Sequence, residues 1–288
     1  MFSVLSGFSG IEQSDTVQGN LLSSSVGSPL SLSPTAMSNP IMSIRFLITV
    51  ALTNGSTAIT SGTVGDFINQ IKIRQGTVDL ITLNGMRELQ DFYHIKTGQV
   101  LSDVNIPTTA STIDSATLEF ELPFRIALGS QVVVKSLFNG WSNAIVGGSV
   151  TAGTVSVALA FVYGNGTVAT SEQWDVNQTS TALASSTDIN LGQYLNTANP
   201  IYQLFIDATS DANLNYYDFY IGKTILYKAY PFDLTNFEVR QPQYSHVSGL
   251  FALPIVEGTV INTASNTQAK AVINLASSIQ VTTFAQVN

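Results

Sequence analysis

Apolar side chains recur at every second position along several stretches of this 288-residue chain, and that period constrains the fold more than any other feature. From Ser43 onward, Ile44, Phe46, Ile48, Val50 and Leu52 alternate with Arg45, Leu47, Thr49 and Ala51. Successive side chains of an extended chain point to opposite faces, so such a run reads as a strand with one face on a core. The alternation returns at Ile71 and Ile73 against Gln70, Lys72 and Arg74, at Leu118, Phe120 and Leu122 against Glu119 and Glu121, and at Val155, Val157, Leu159 and Phe161. Four Asn-Gly dipeptides, at Asn54, Asn84, Asn139 and Asn165, supply residues that tolerate positive φ and punctuate the strands with turns. Asn84 is either such a turn or a helix cap. Helical spacing predicts one helix in the first half, Met86 to Ile95, with Met86, Leu89 and Tyr93 on one face and Arg87, Glu88 and Asp91 turned elsewhere. A second short helix is predicted from Asp233 to Val239, after Pro231, with Leu234 and Phe237 facing inward.

The two halves echo each other. Asn39-Pro40-Ile41, opening the first long strand, returns as Asn199-Pro200-Ile201. Asp66-Phe67-Ile68, leading through Ile71-Lys72-Ile73 to Leu80 and a helix, returns as Asp218-Phe219-Tyr220, leading through Lys223-Thr224-Ile225 to Phe232. Leu122-Pro123-Phe124 returns as Leu253-Pro254-Ile255. The order is kept while the spacing shrinks, so the second copy has shorter loops around the same elements. The expected fold is all-β: two eight-stranded jelly rolls in tandem, with short helices in loops. The first jelly roll is placed at 39–166, a Thr/Ser/Asn-rich connecting segment at 167–194 and the second jelly roll at 195–288. Residues 1–38, rich in Ser and Gly with only Glu12 and Asp15 charged, read as an extended N-terminal arm. Its apolar residues, among them Phe2, Leu5, Ile11 and Leu21, favour docking on a neighbour or another apolar surface over a disordered leader.

Hydrophobic residues make up 44% of the chain, ample for buried cores, whereas charged residues are only 10%, against roughly 25% in a typical soluble domain. Uncharged polar residues must then cover the outside, which suits a surface largely taken up by other subunits. The 19 acidic and 11 basic side chains give a net charge of −8 with no basic run, so direct nucleic-acid binding is not expected. The absence of cysteine rules out disulfides, thiolate metal sites and cysteine nucleophiles. No stretch approaches the ~20 continuous apolar residues of a membrane span. Met1-Phe2-Ser3-Val4-Leu5 lacks the cationic region of a secretory signal, so a soluble chain outside the general secretion route is expected.

Residue chemistry points away from catalysis, and no catalytic, cofactor-binding or metal residue is assigned. The two histidines, His94 and His246, lie in different halves, and no Gly-x-Ser-x-Gly elbow is present. His94 follows Asp91 by three residues on the predicted helix, which gives it a local contact; His246 reads as a loop residue. Asp207-Ala208-Thr209-Ser210-Asp211-Ala212-Asn213 is rich in oxygen ligands but lacks the glycine and terminal glutamate of a calcium loop, so it reads as a turn. Glu119 and Glu121 share the polar face of one strand as solvated carboxylates rather than as a glycosidase pair. Asn54, Asn165 and Asn177 open glycosylation-like triplets that read as turns. Tyr216, Tyr217, Phe219, Tyr220, Tyr227 and Tyr230 are core and subunit-interface anchors on the leading reading, and a sugar-stacking platform on the alternative of a carbohydrate-binding spike or adhesin module.

Phe67-Ile68-Asn69-Gln70-Ile71-Lys72-Ile73-Arg74, then Leu80 to Leu83, Gly85 and the helix Leu89-Gln90-Asp91-Phe92-Tyr93-His94, resembles the first jelly roll of double jelly-roll major capsid proteins of tailless icosahedral bacteriophages with an internal membrane, on the corticovirus-like branch of the adenovirus-type lineage. Leu118-Glu119-Phe120-Glu121-Leu122-Pro123-Phe124 matches the strand that follows that helix. The weak second helix departs from the family layout. The resemblance implies a non-enzymatic structural protein of the virion capsid shell, held in the host cytoplasm before assembly. It implies a homotrimer whose six barrels form a pseudo-hexameric capsomer, with neighbouring capsomers and minor capsid or penton proteins as partners. It also implies that residues 1–38 cross beneath the barrels toward a neighbour or the internal membrane.

Overall fold

The computed structural model describes residues 8–13, 16–35, 37–108, 113–179, 181–186, 188–190, 201–221, 223–239, 246–253 and 269–287. The chain divides into two compact units, Met1–Lys96 with Leu101–Ser171, and Thr97–Val100 with Glu172–Asn288.

The first unit runs Phe8–Gln13 (β1), Val17–Leu21 (β2), Leu30–Leu32 (β3), Ile41–Asn54 (β4), Ile59–Gly62 (β5), Val64–Phe67 (α1), Ile68–Gln75 (β6), Val78–Asn84 (β7), Gly85–Thr97 (α2), Ile113–Ile126 (β8), Val132–Phe138 (β9), Trp141–Ala144 (α3), Ile145–Gly147 (β10) and Val150–Gly164 (β11). One sheet has the order β1-β11-β4-β8, with β2 also on β11, and the other the order β3-β9-β6-β7. The short strands β5 and β10 form a separate ribbon. All these pairings are antiparallel, and the predicted alternation sets the register: Ile44 faces Leu122, Phe46 faces Phe120 and Ile48 faces Leu118 across β4 and β8. The rings of Phe46 and Phe120 stack at 4.8 Å, and Tyr93 of α2 meets Phe120 edge-on at 6.3 Å. All four Asn-Gly dipeptides fall where strands end: Asn54 closes β4, Asn84 closes β7, and Asn139 and Asn165 directly follow β9 and β11.

The second unit runs Trp174–Gln178 (β12), Asp188–Asn190 (β13), Gln203–Asp207 (β14), a 3-10 turn at Asp211–Asn213, Leu214–Ile221 (β15), Thr224–Ala229 (β16), Pro231–Val239 (α4), Leu250–Leu253 (β17), Ala269–Leu275 (β18) and Thr282–Gln286 (β19). Its sheets have the orders β12-β19-β14-β17 and β13-β18-β15-β16. Both sheets feed one core, in which Leu204, Ile206 and Phe251 meet Tyr217, Phe219 and Ile273.

With the β5–β10 ribbon set aside and β1 and β2 taken as one interrupted strand, each unit has, among the described residues, eight principal strands in one pattern. In both, the first strand pairs with the last, the last with the third and the third with the sixth; the second pairs with the seventh, the seventh with the fourth and the fourth with the fifth. A helix links the fifth strand to the sixth in each, α2 in one and α4 in the other. This is the jelly roll, twice.

The structure corrects several expectations. Residues 8–32, expected as part of an arm, supply the first two strands of the first jelly roll: β1 and β2 lie along β11, and β3 lies along β9. Leu21 and Leu32 are buried there, so Leu21 is satisfied within the same unit, whereas Ile11 stays 52% exposed; Phe2 and Leu5 are outside the described residues. The second unit likewise opens at Glu172, and β12 and β13 of the expected connecting segment are its first two strands. The repeat also slips by one strand in its middle. Asp66-Phe67-Ile68 and Asp218-Phe219-Tyr220 both touch the fourth strand, but Ile71-Lys72-Ile73 lies in β6 whereas Thr224 and Ile225 open β16, the fifth strand. β15 already starts at Leu214, four residues before Asp218, whereas β6 starts at Ile68 itself. The outer matches hold their place: Ile41 opens the third strand and Ile201 just precedes its counterpart, and Leu122 and Leu253 both lie in sixth strands. Asn199, Pro200, Pro254 and Ile255 are outside the described residues.

A further correction concerns α2, where Glu88, Asp91 and His94 are buried together with Leu89, Phe92 and Ile95. Glu88 turns inward because its carboxylate accepts the Asn84 backbone N–H at 2.6 Å, which ties the start of the helix to the end of β7. Burial pushes the Glu88 carboxyl up, against these hydrogen bonds from Asn84. In α4, Pro231 occupies the first position, Asp233 accepts the Tyr230 N–H at 3.0 Å, and Leu234 is fully buried.

Candidate assembly surfaces

Several of the residues weighed for chemistry have defined local partners. Among the described residues no group of three or more His, Asp or Glu side chains is placed to hold a metal. His94 is buried in α2, and His246 lies across Asp211, with Nε2 at 2.9 and 3.0 Å from the two carboxylate oxygens. Asp211 also accepts the Gly249 N–H at 2.8 Å, so it fastens the loop at 246–249 onto the 3-10 turn. The rest of the Asp207–Asn213 segment is a hydrogen-bonded turn. Asp207 accepts the Thr209 N–H at 2.7 Å, and the Asn213 amide donates to the Ala208 carbonyl at 2.8 Å. Glu121 pairs with Arg45 at 3.0 Å and accepts the Ser43 hydroxyl at 2.5 Å, while Glu119 stands opposite Leu47. Asn54 is buried, its side-chain carbonyl accepting the Ser149 N–H at 2.9 Å.

The tyrosine-rich segment divides between the two faces of β15. Tyr217 and Phe219 are fully buried, with Tyr227 packed on the same core. Tyr216 and Tyr220 face outward, where the Tyr216 phenol donates to the Asp188 carboxylate at 2.5 Å and the Lys228 ammonium sits 3.9 Å from the Tyr216 ring centre. That hydrogen bond to Asp188 pushes the Tyr216 phenol up to about 12. A chain-borne cation thus lies over a ring that the alternative reading would offer to a sugar.

Two places that expose apolar side chains bear on assembly. On the first unit, the outward row of β11 reads Thr154, Ser156, Ala158, Ala160 and Val162, without a charge. Beside it, Ile11 of β1 is 52% exposed and Leu47 of β4 is 40% exposed. These residues wall an open hollow of about 300 Å³ floored by Ala158 and Ala160, with Arg45 and Glu119 also lining it. On the second unit, Ile225, Tyr230 and Phe232 are all exposed, Phe232 to 76%. Sequence reasoning missed both, because a strand pattern reports which face is outward but not how empty that face is.

The β1 edge of the first surface is held by one polar anchor. Glu12 accepts the Tyr163 hydroxyl and the Thr35 N–H, each at 2.5 Å. Burial pushes the Glu12 carboxyl up, but these hydrogen bonds outweigh it and hold it below the usual range.

No family model and no curated protein matches the chain. Solved structures do. The chain is similar to the STIV MCP, at 14% identity and a TM-score of 0.60, over 94% of this chain and 96% of that one. It is similar to the major capsid protein P2 from bacteriophage PM2, at 13% identity and a TM-score of 0.56, over 94% and 96%. It is also similar to the Faustovirus major capsid protein, at 6% identity and a TM-score of 0.53, over 100% and 91%. The likeness is one of fold and runs through both units, so the chain is a tandem double jelly-roll protein. No described helix is long and apolar enough to cross a membrane.

Proposed function

We propose that this chain is a structural major capsid protein of an icosahedral virus, acting by self-assembly rather than catalysis. The observation that carries the reading is the second jelly roll: one chain holds two barrels of identical strand order, and its likeness to viral major capsid proteins extends over both. Three such chains present six similar barrels, and a ring of six tiles a nearly hexagonal lattice. The ring closes through heterologous contacts, the first barrel of one copy meeting the second barrel of the next. Interfaces of this obligate kind commonly bury more than ~2,000 Å², which fits a chain with only 10% charged residues. In this reading the protein resides in the virion shell after assembly from the host cytoplasm. Neighbouring capsomers and minor capsid or penton proteins are its partners, and the shell encloses an internal membrane, consistent with an acidic chain that does not contact the genome.

Light scattering on the purified protein, with negative-stain images of the same sample, tests the proposal. A stable particle of three times the 30.7 kDa chain mass with a pseudo-hexagonal outline is the expected result. A monomer at micromolar concentration overturns it.

A further inference from the structure

The chain carries both halves of one apolar contact. We infer that Phe232, on the second jelly roll of one copy, inserts into the hollow floored by Ala158 and Ala160 on the first jelly roll of a neighbouring copy. The inference rests on the assembly reading above and names the place where that assembly closes.

The hollow is built by the fold and not by one strand. Arg45 and Leu47 of β4 pair with Ala160 and Ala158 of β11, Leu47 also faces Glu119 of β8, and Ile11 of β1 pairs with Val162 beside them. Four adjacent strands therefore contribute, and the two alanines stand where larger side chains would fill the space. Its volume of about 300 Å³ is roughly twice the ~150 Å³ that an engineered apolar cavity needs to bind benzene, so a phenyl ring fits. Water is a poor occupant of a floor made of methyl groups.

The occupant is chosen by what the chain itself displays. Phe232 is the most exposed large apolar residue among the described residues, and it stands at the start of α4, where Pro231 restricts the backbone and Asp233 fixes the first turn through the Tyr230 N–H. An aromatic side chain held on a capped helix start is a preorganised knob, which lowers the entropic cost of docking. At the rim of the hollow Arg45 is already paired with Glu121, and beside the knob Asp233 accepts the Tyr230 N–H. Because hollow and knob are different patches on different units, the contact can repeat head to tail around a ring, as ring closure requires.

The test uses the full-length chain in three arms. Ala158→Trp fills the hollow and Phe232→Asp removes the knob, and each should weaken self-association by roughly ten- to a hundred-fold, read as the dissociation constant from light scattering across a dilution series. Circular dichroism confirms that each variant folds. In the third arm, Phe232 is replaced by the photoreactive p-benzoyl-phenylalanine, which keeps an aromatic ring, and labelled and unlabelled copies are mixed. Irradiation should join labelled to unlabelled chains at the peptide containing Ala158–Ala160 or Arg45–Leu47. A wild-type protein that assembles while both variants keep their mass, or cross-links that map elsewhere, overturns the knob-and-hollow contact and leaves the capsid reading standing. A wild-type monomer overturns both.

Discussion

Replacing Phe46 by Ala tests whether the β4–β8 register is the backbone of the first jelly roll's core. The Phe46 ring is fully buried and stacks on Phe120 at 4.8 Å with an interplanar angle of 8°, and Phe120 in turn meets Tyr93 of α2. Truncation of a buried Phe to Ala costs about 3–5 kcal/mol, a range that includes the cavity left behind. Loss of the stacked pair, worth about 0.5–1.5 kcal/mol beyond its buried area, places this site in the upper part of that range, near 4 kcal/mol. Against total stabilities of about 5–15 kcal/mol, that is a large fraction. The two tryptophans make the measurement unit-specific: Trp141 lies in the first unit and Trp174 in the second, so a Trp174→Phe background leaves fluorescence that reports only the first. With a urea slope of about 2 kcal/mol/M, the Trp141 transition should move down by about 2 M. The control is Glu119→Ala on the outward face of β8, which should move it by less than about 0.5 kcal/mol. A Phe46→Ala shift no larger than the control's would refute the register and the core built on it.

Two further predictions concern the second unit. Gly249 has φ +91°, and a Cβ there would lie 2.4 Å from the Ser210 nitrogen and 2.5 Å from the Thr209 carbonyl carbon. Gly249→Ala should therefore destabilise the Trp174-reported transition by about 2–5 kcal/mol through strain and overpacking, whereas Gly166→Ala in the first unit, with nothing within 4 Å of its added methyl, should leave the Trp141-reported transition nearly unchanged. The Tyr216–Asp188 bond links stability to pH at both ends of the scale. The Tyr216 phenol is raised from 10.0 to about 12, so its contribution is complete below pH 10 and is lost as pH rises through about 12. Hydrogen bonds from Tyr216 and Asn274 hold the Asp188 carboxyl below the ordinary aspartate value of 3.8, so its contribution is present above that value and is lost as pH falls below it. Tyr216→Phe should flatten the alkaline loss in a pH series of denaturation midpoints, and a profile unchanged between pH 10 and 12 would refute the assignment.

Much of the fold was legible because burial writes its period directly into the residues. The long strands β4, β8 and β11, the helix at α2 and the turns at Asn-Gly could all be read, since each is set by neighbours only a few positions away. β2 and β3 could not. Gly19, Asn20 and Ser31 carry no strand pattern of their own. Their partners, β11 and β9, are more than a hundred residues away, so the side chains that make them strands are supplied by tertiary contact.

The same division holds for the candidate surface. The low charge of the chain and its duplicated order of elements were properties of the sequence alone, and they pointed to a β protein that meets copies of itself. Which strands pair first with last, where the N-terminal residues belong, and which outward faces are left hollow or protruding were decided only in three dimensions. The physical reason is that alternation specifies a strand's buried side but not its neighbour. Neighbours are chosen by long-range backbone pairing, and that choice set Ala158 and Ala160 between Ile11 and Leu47.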